Sequence, residues 1–193
     1  MISISNALWT ENPGISAEGR LCYDEERLYV HMQAAEKEIQ AAYTAPLSPV
    51  HEDSCLEFFF MPEETGNYFN FEINPNGCLC VQYGPDRTDR ITIVRKDEKE
   101  YFRIRTGRTP EGWEASYSIP VEFMRLFLPE YVFRGSLRAN MYKCGDQTPH
   151  EHYLSWVPVR TAGPDFHRPE FFGRMRFKEE SAVSPGVANR PDL

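Results

Sequence analysis

The sequence is short of positive charge, poor in cysteine and free of any long apolar run. Lysine and arginine total 21 against 29 aspartate and glutamate, which leaves a net charge of −8. Nucleic acids and anionic membranes both reward positive surface that displaces counterions, so neither is expected as a partner. A membrane helix needs ~20 consecutive apolar residues. The longest apolar stretch here, Cys55–Met61, is short and is broken by Glu57. The five cysteines are Cys22, Cys55, Cys78, Cys80 and Cys144. An odd count argues for reduced thiols rather than a disulfide framework. Cys78 and Cys80 stand one residue apart, closer than zinc-knuckle spacing, and on a strand they share a face as small hydrophobes. The opening residues, Met1 to Trp9, lack the charged region, apolar core and cleavage site of a secretory leader. The expected compartment is therefore cytoplasmic, or extracellular or periplasmic if a leader precedes this chain. No GxSxG elbow, HExxH pair, P-loop or GxGxxG fingerprint is present.

What is there points to sheet. At 193 residues, 41% apolar and 13% aromatic, the chain suits one well-cored domain and is short for two. Its 15 prolines and 12 glycines separate short segments rich in Tyr, Phe, Val and Ile. Strands are expected at residues 27–35, 55–61, 67–74, 78–83, 91–94, 101–106, 113–118, 137–143, 153–157 and 173–177. The Pro75-Asn76-Gly77 turn closes a hairpin between the third and fourth of these. Helical signals are thin: two turns at residues 35–43, and a short helix at residues 120–127 opened by Pro120. This pattern describes an all-β, antiparallel two-sheet sandwich with one or two short helices. It is expected to occupy residues 1–178, followed by a loose tail at 179–193 that has little to bury.

Several residues could carry chemistry. In the strand at 67–74, Tyr68, Asn70, Glu72 and Asn74 face one way, and Phe69, Phe71 and Ile73 the other. A row of aromatic, amide and carboxylate groups can hydrogen-bond the vicinal hydroxyls of a sugar; it can equally be a solvated strand face. Glu57 sits in the middle of the most hydrophobic strand, so its carboxylate must be ion-paired, hydrogen-bonded or turned to a ligand. Glu57 with Glu72 or Asp53 would also supply the two carboxylates of a glycosidase, which stand ~5–10 Å apart. His150 and His152 share a strand face as a metal pair without a third ligand, or else belong to a solvated turn. Trp113 opens an alternating strand and reads as core. Trp156 lies near a strand end, as a corner plug or a sugar platform.

Whole segments carry a resemblance. Asp53-Ser54-Cys55-Leu56-Glu57-Phe58-Phe59 resembles the D-S-x-x-E-F-F signature of the family 9 carbohydrate-binding modules, in particular their stand-alone bacterial relatives. The Tyr68 to Asn74 strand with its Asn76-Gly77 turn is similar to the next hairpin of that group. The blocks from Ala139 to Asp146, Tyr153 to Trp156 and Phe166 to Gly173 follow in order, so the resemblance runs from about Trp9 to Phe177. It implies a jelly-roll-like sandwich and non-catalytic saccharide binding in polysaccharide utilisation. In xylanase-attached members a sugar end sits between two tryptophans, helped by an acidic residue and an arginine. Glu57 matches the acidic position, His51 falls where the first tryptophan would be, and Glu72 where the arginine would be. Trp156 is then the candidate for the remaining aromatic wall. The implied ligand-binding set is Trp156, Glu57, His51, Asn70, Glu72 and Asn74, with a mono- or oligosaccharide as partner. No cofactor is required. Some relatives hold structural calcium, although no oxygen-ligand run like an EF-hand loop appears here. Two other readings stay open: a small glycoside hydrolase using Glu57 and Glu72, and a protein-interaction sandwich that has lost the sugar site.

Overall fold

The computed structural model describes residues 1–62 and 66–178; the tail expected at 179–193 lies outside the described residues. Among the described residues, thirteen strands form two antiparallel sheets. The first runs, in spatial order, β1 (Ile2–Ile4), β3 (Ser16–Tyr23), β4 (Arg27–Ala35), β10 (Gly112–Pro120) and β9 (Arg105–Arg108). The second runs β2 (Asn6–Ala7), β12 (His152–Ser155), β11 (Ser136–Gly145), β5 (Cys55–Met61), β6 (Tyr68–Ile73), β7 (Leu79–Gly84) and β8 (Ile91–Ile93). A further strand, β13 (Gly173–Arg176), pairs with the first part of β11. The two helices are α1 (Glu98–Tyr101) and α2 (Val121–Arg125). No described helix is long and apolar enough to cross a membrane.

Strand parity builds the core. Successive side chains of a strand point to opposite faces. Leu56, Phe58 and Phe60 of β5 and Phe69, Phe71 and Ile73 of β6 therefore face the other sheet, where they join Met32, Trp113 and Tyr117. Phe71 stacks on Tyr117 at 5.7 Å and meets Phe102 edge-on at 5.6 Å. Every residue of β5 and β6 is buried, however, so the outer face of this sheet is covered as well. Its cover is the loop chain around residues 36–54 and 158–172.

Two expectations are corrected. Residues 35–43 end β4 and then run as coil. Asp53 and Ser54 accept the N–H groups that a helix would have paired internally: Gln40 donates to Ser54 Oγ (3.0 Å), and Ala42 and Tyr43 to the two oxygens of Asp53 (2.9 Å each). Residues 101–106 are not one strand: α1 ends at Tyr101, Arg103 turns the chain at φ 53°, and β9 starts at Arg105. That detour drops Phe102 into the core between Phe71 and Phe123. The short helix expected after Pro120 is α2, with Pro120 as its N-terminal flank.

Candidate functional site

The outer face of the larger sheet carries the chemistry, and strand register sets its layout. Glu57 of β5 lies directly opposite Tyr142 of β11 on one side and Glu72 of β6 on the other. Glu72 in turn faces Cys80, and Asn70 faces Gln82. One row over, Cys55 faces Cys144, which faces Tyr153. Over these rows opens a cavity of about 340 Å³, whose wall includes Trp9, His51, Arg87, Asp146, Tyr153, Phe166 and His167, with Glu57, Glu72, Cys80, Gln82 and Cys144 reaching it from the strands. That volume lies at the small end of the range for ligand pockets.

The floor is acidic and nearly dry. Glu57 is 3% exposed and Glu72 7%. The Cys144 thiol donates to Glu57 Oε1 (3.1 Å), and Asn70 Nδ2 donates to Glu72 Oε1 (2.7 Å) and Gln82 Oε1 (3.2 Å). Among the described residues neither glutamate has an ion-pair partner. Burial pushes the Glu57 carboxyl well above the usual carboxylate range, and the neighbouring Cys144 and Glu72 add to the rise. Burial also raises Glu72, moderated by His51 and by the Asn70 hydrogen bond. Asp146, at the rim, is raised for the same reason. A protonated carboxyl both donates and accepts, so this floor matches hydroxyl groups, which do the same.

His167 is held in one state. Arg90 donates from Nη1 to the Tyr68 hydroxyl (3.2 Å) and to His167 Nδ1, with its guanidinium 4.7 Å above the Tyr68 ring. A guanidinium can only donate, so Nδ1 accepts and the imidazole proton sits on Nε2. Burial, followed by the nearby Arg90 charge, lowers this histidine to about 3 and keeps it neutral.

The structure brings His51, Glu57 and Glu72 together on one cavity and does not bring Trp156 or Asn74 there. Trp156 follows Leu154 to the inner face and packs on the inter-sheet core. Its backbone N–H donates to Met141 O (2.9 Å), and the Asn140 amide bonds both the N–H and the carbonyl of Val157, which holds that parity. The indole at the cavity belongs to Trp9, whose Nε1 donates to Thr161 O (3.0 Å) and whose ring meets Tyr153 at 5.5 Å. Trp9 sits at φ 55° in a loop, a placement no strand pattern signals. Asn74 binds Asp53 Oδ2 (2.9 Å) and Tyr43 O (2.8 Å), so it ties the covering loop down. Asn70 reaches the site through Glu72. Trp9, Gln82, Asp146 and His167 carry no signal of a site role in the residue order, although Asp146 and His167 lie inside the family-like blocks.

The His150–His152 pair is also corrected. His152 is buried, with Nδ1 donating to His150 O (2.7 Å) and Nε2 taking a bond from Lys143 Nζ (2.6 Å), while His150 is exposed beside Glu38. Trp113 is core, and its Nε1 donates to Glu36 Oε2 (3.0 Å). A larger hollow, about 800 Å³, is walled by Pro13, Arg108, Pro110 and His150 at one end of the sandwich. Its one buried carboxylate, Glu36, is already bonded by Ser54, Trp113 and Lys143, so it offers a ligand little. The narrower cavity over Glu57 is therefore the candidate site. Calcium takes six to eight oxygens, and the three His, Cys, Asp or Glu donors that converge among the described residues are Cys55, Glu57 and Cys144. That set does not fit calcium.

Comparison with known proteins matches the family and the fold. The family described as carbohydrate-binding family 9 matches residues 1–177. A protein of Bacteroides uniformis assigned to carbohydrate binding shares 28% identity at a TM-score of 0.80, over 92% of this chain and 85% of that one. A family 9 module from Caldicellulosiruptor kristjanssonii shares the fold in two solved structures, each at a TM-score of 0.61. Its glucose complex is 13% identical over 91% of this chain and 84% of the module. Its cellotriose complex is 12% identical over 95% of this chain and 85% of the module. No curated protein matches the chain.

Proposed function

The chain belongs to carbohydrate-binding family 9, and from that membership we infer that it is a non-catalytic receptor for a mono- or oligosaccharide in polysaccharide utilisation. The sugar enters the cavity over Glu57 and Glu72. Trp9 offers an apolar face to the ring C–H groups, and Gln82, Asp146 and neutral His167 reach the remaining hydroxyls. His51 and Asn70 set the carboxyls that receive it. The observation that carries this reading is the pair of facing carboxyls on a dry floor, both shifted toward the neutral acid.

The same observation argues against hydrolysis. A retaining glycosidase needs one carboxyl held ionised as nucleophile and one held protonated as acid, so their environments must push them apart. Here burial moves both upward, and no cation among the described residues pairs with either. A protein partner is also a poor match for a cavity of about 340 Å³ with a buried floor.

Calorimetric titration of the whole chain with glucose, xylose, mannose and their β-linked oligomers tests the reading. One sugar ring buries little surface, so a dissociation constant between roughly 1 μM and 1 mM is expected for at least one series. Glu57→Gln should weaken it ~10-fold or more with the fold retained. A blank across all of them would overturn the proposal.

A further inference from the structure

Two thiols and one carboxylate converge at the floor of this cavity, and the saccharide reading gives the thiols no role. Cys55 and Cys144 face each other directly across β5 and β11. Their sulfur atoms and a Glu57 oxygen all lie within 4.8 Å of one another, and the three residues are 0%, 1% and 3% exposed. We propose that Cys55 Sγ, Cys144 Sγ and Glu57 form a binding site for a thiophilic divalent cation, zinc above all.

The donor set chooses the ion. Thiolates favour zinc over calcium and magnesium, which take oxygen ligands. Zinc bonds of about 2.3 Å to sulfur and 2.0 Å to oxygen in a tetrahedron place neighbouring donors roughly 3.5–3.8 Å apart. Cys144 Sγ stands 3.1 Å from Glu57 Oε1 and all three donor atoms lie within 4.8 Å of one another, a range that brackets that spacing. The thiols have few other obligations: Cys55 Sγ touches Leu56 O at 3.9 Å, and Cys144 Sγ touches His51 O at 3.7 Å. Loading is proton-balanced: the two thiols and the Glu57 carboxyl give up their protons to solvent, and the two thiolates with the carboxylate leave the zinc site at −1.

Three protein ligands leave the fourth position of a tetrahedral zinc open. Glu57 and Cys144 both border the cavity, so that position is turned toward it. Water fills it in the unliganded protein, and a hydroxyl of a bound ligand displaces that water. Both proposals use Glu57, so the metal titration is run without sugar and the saccharide titration on metal-stripped protein, and each can then fail without the other.

The test uses the whole chain, kept reduced by a phosphine, stripped with a chelator and titrated with Co²⁺ as the probe. One Co²⁺ per chain is expected, with a sulfur-to-cobalt charge-transfer band and tetrahedral d–d bands, all bleached by an equivalent of Zn²⁺. Cys55→Ser and Cys144→Ser should each lose stoichiometric binding and about half the charge-transfer intensity. Cys22→Ser should lose neither, because that thiol is exposed and distant in register from the trio. Glu57→Gln keeps both thiols, so if the serine variants fail to fold it carries the test, through a weaker Co²⁺ affinity and shifted d–d bands. Folded, fully reduced protein without a charge-transfer band would overturn the proposal, and so would a band that survives intact in folded Cys144→Ser.

Discussion

The two faces of β5 and β6 are made by alternate residues of the same strands, yet they obey different chemistry. The inner face meets the second sheet and is built from Leu56, Phe58, Phe60, Phe69, Phe71 and Ile73. The outer face is as thoroughly buried, but it carries Glu57, Asn70, Glu72 and Cys55. The difference lies in the cover. A sheet has spent its backbone hydrogen bonds on its own ladder and offers only side chains to a facing layer. A loop brings free N–H and carbonyl groups, so polar residues beneath it can be satisfied. Asp53, which accepts from Ala42, Tyr43 and Asn74, shows this directly.

The comparison can be broken most violently on the inner face. Phe71→Ala should cost about 3–5 kcal/mol, since the ring contacts Tyr117, Phe102 and Phe123 with no route for the core to collapse. Urea unfolding reads this, and a loss under 1 kcal/mol would mean that the sheets do not interlock as described. Removing the polar support of the outer cover comes next. Asp53→Ala orphans two backbone N–H groups and one amide, and we expect a loss of about 2–3 kcal/mol together with weaker saccharide binding, since the loop also walls the cavity. Unfolding and titration on the same sample would show whether stability and binding fall together.

Acid should separate the two faces. His152, at the inner end beside Lys143, is lowered to about 4 in the folded chain by burial and that lysine. A base lowered by folding contributes stability that is present above its ordinary value near 6.5 and is lost as pH falls toward 4. At pH 5 that loss is about 2 kcal/mol relative to pH 7. Glu57 and Glu72 act in the opposite sense: their raised carboxyls give stability that is present at low pH and is lost as pH rises. The double variant Glu57→Gln, Glu72→Gln should therefore be the more stable form at pH 7 and should decline more steeply toward pH 5 than the parent. Urea midpoints at the two pH values would show it, and identical slopes would refute the opposition. The smallest effect is the sharpest discriminator. Trp9→Ala should weaken saccharide binding by ~10-fold, about 1–1.5 kcal/mol. Trp156→Phe should leave the dissociation constant unchanged, because that indole packs in the inter-sheet core.

Much of this was legible beforehand, and for identifiable reasons. The alternation of Tyr68 to Asn74 reports strand parity, so the polar and apolar faces of that strand could be assigned from residue order alone, while the dense run at Cys55 to Met61 reports only a buried strand. The resemblance joined Glu57 and Glu72 in one ligand set, but that they stand directly opposite each other is a matter of register. Residues 35–43 misled because their helical spacing is local, while the groups that unwind them, Asp53 and Ser54, lie just ahead of β5, more than ten residues on. Trp156 misled because a rim position reads the same whether the side chain turns in or out. Trp9 was silent because a loop residue has no periodicity to betray its direction.

By itself the residue order determined the class of fold, two layers of antiparallel strands, and the polar character of one sheet face, because both follow from a period of two along each strand. Only the tertiary structure decided which indole reaches the cavity, that Cys55 and Cys144 meet, and that the two glutamates share a floor. These depend on register between strands and on how loops fold back over them, and contacts between distant segments leave no trace in local spacing.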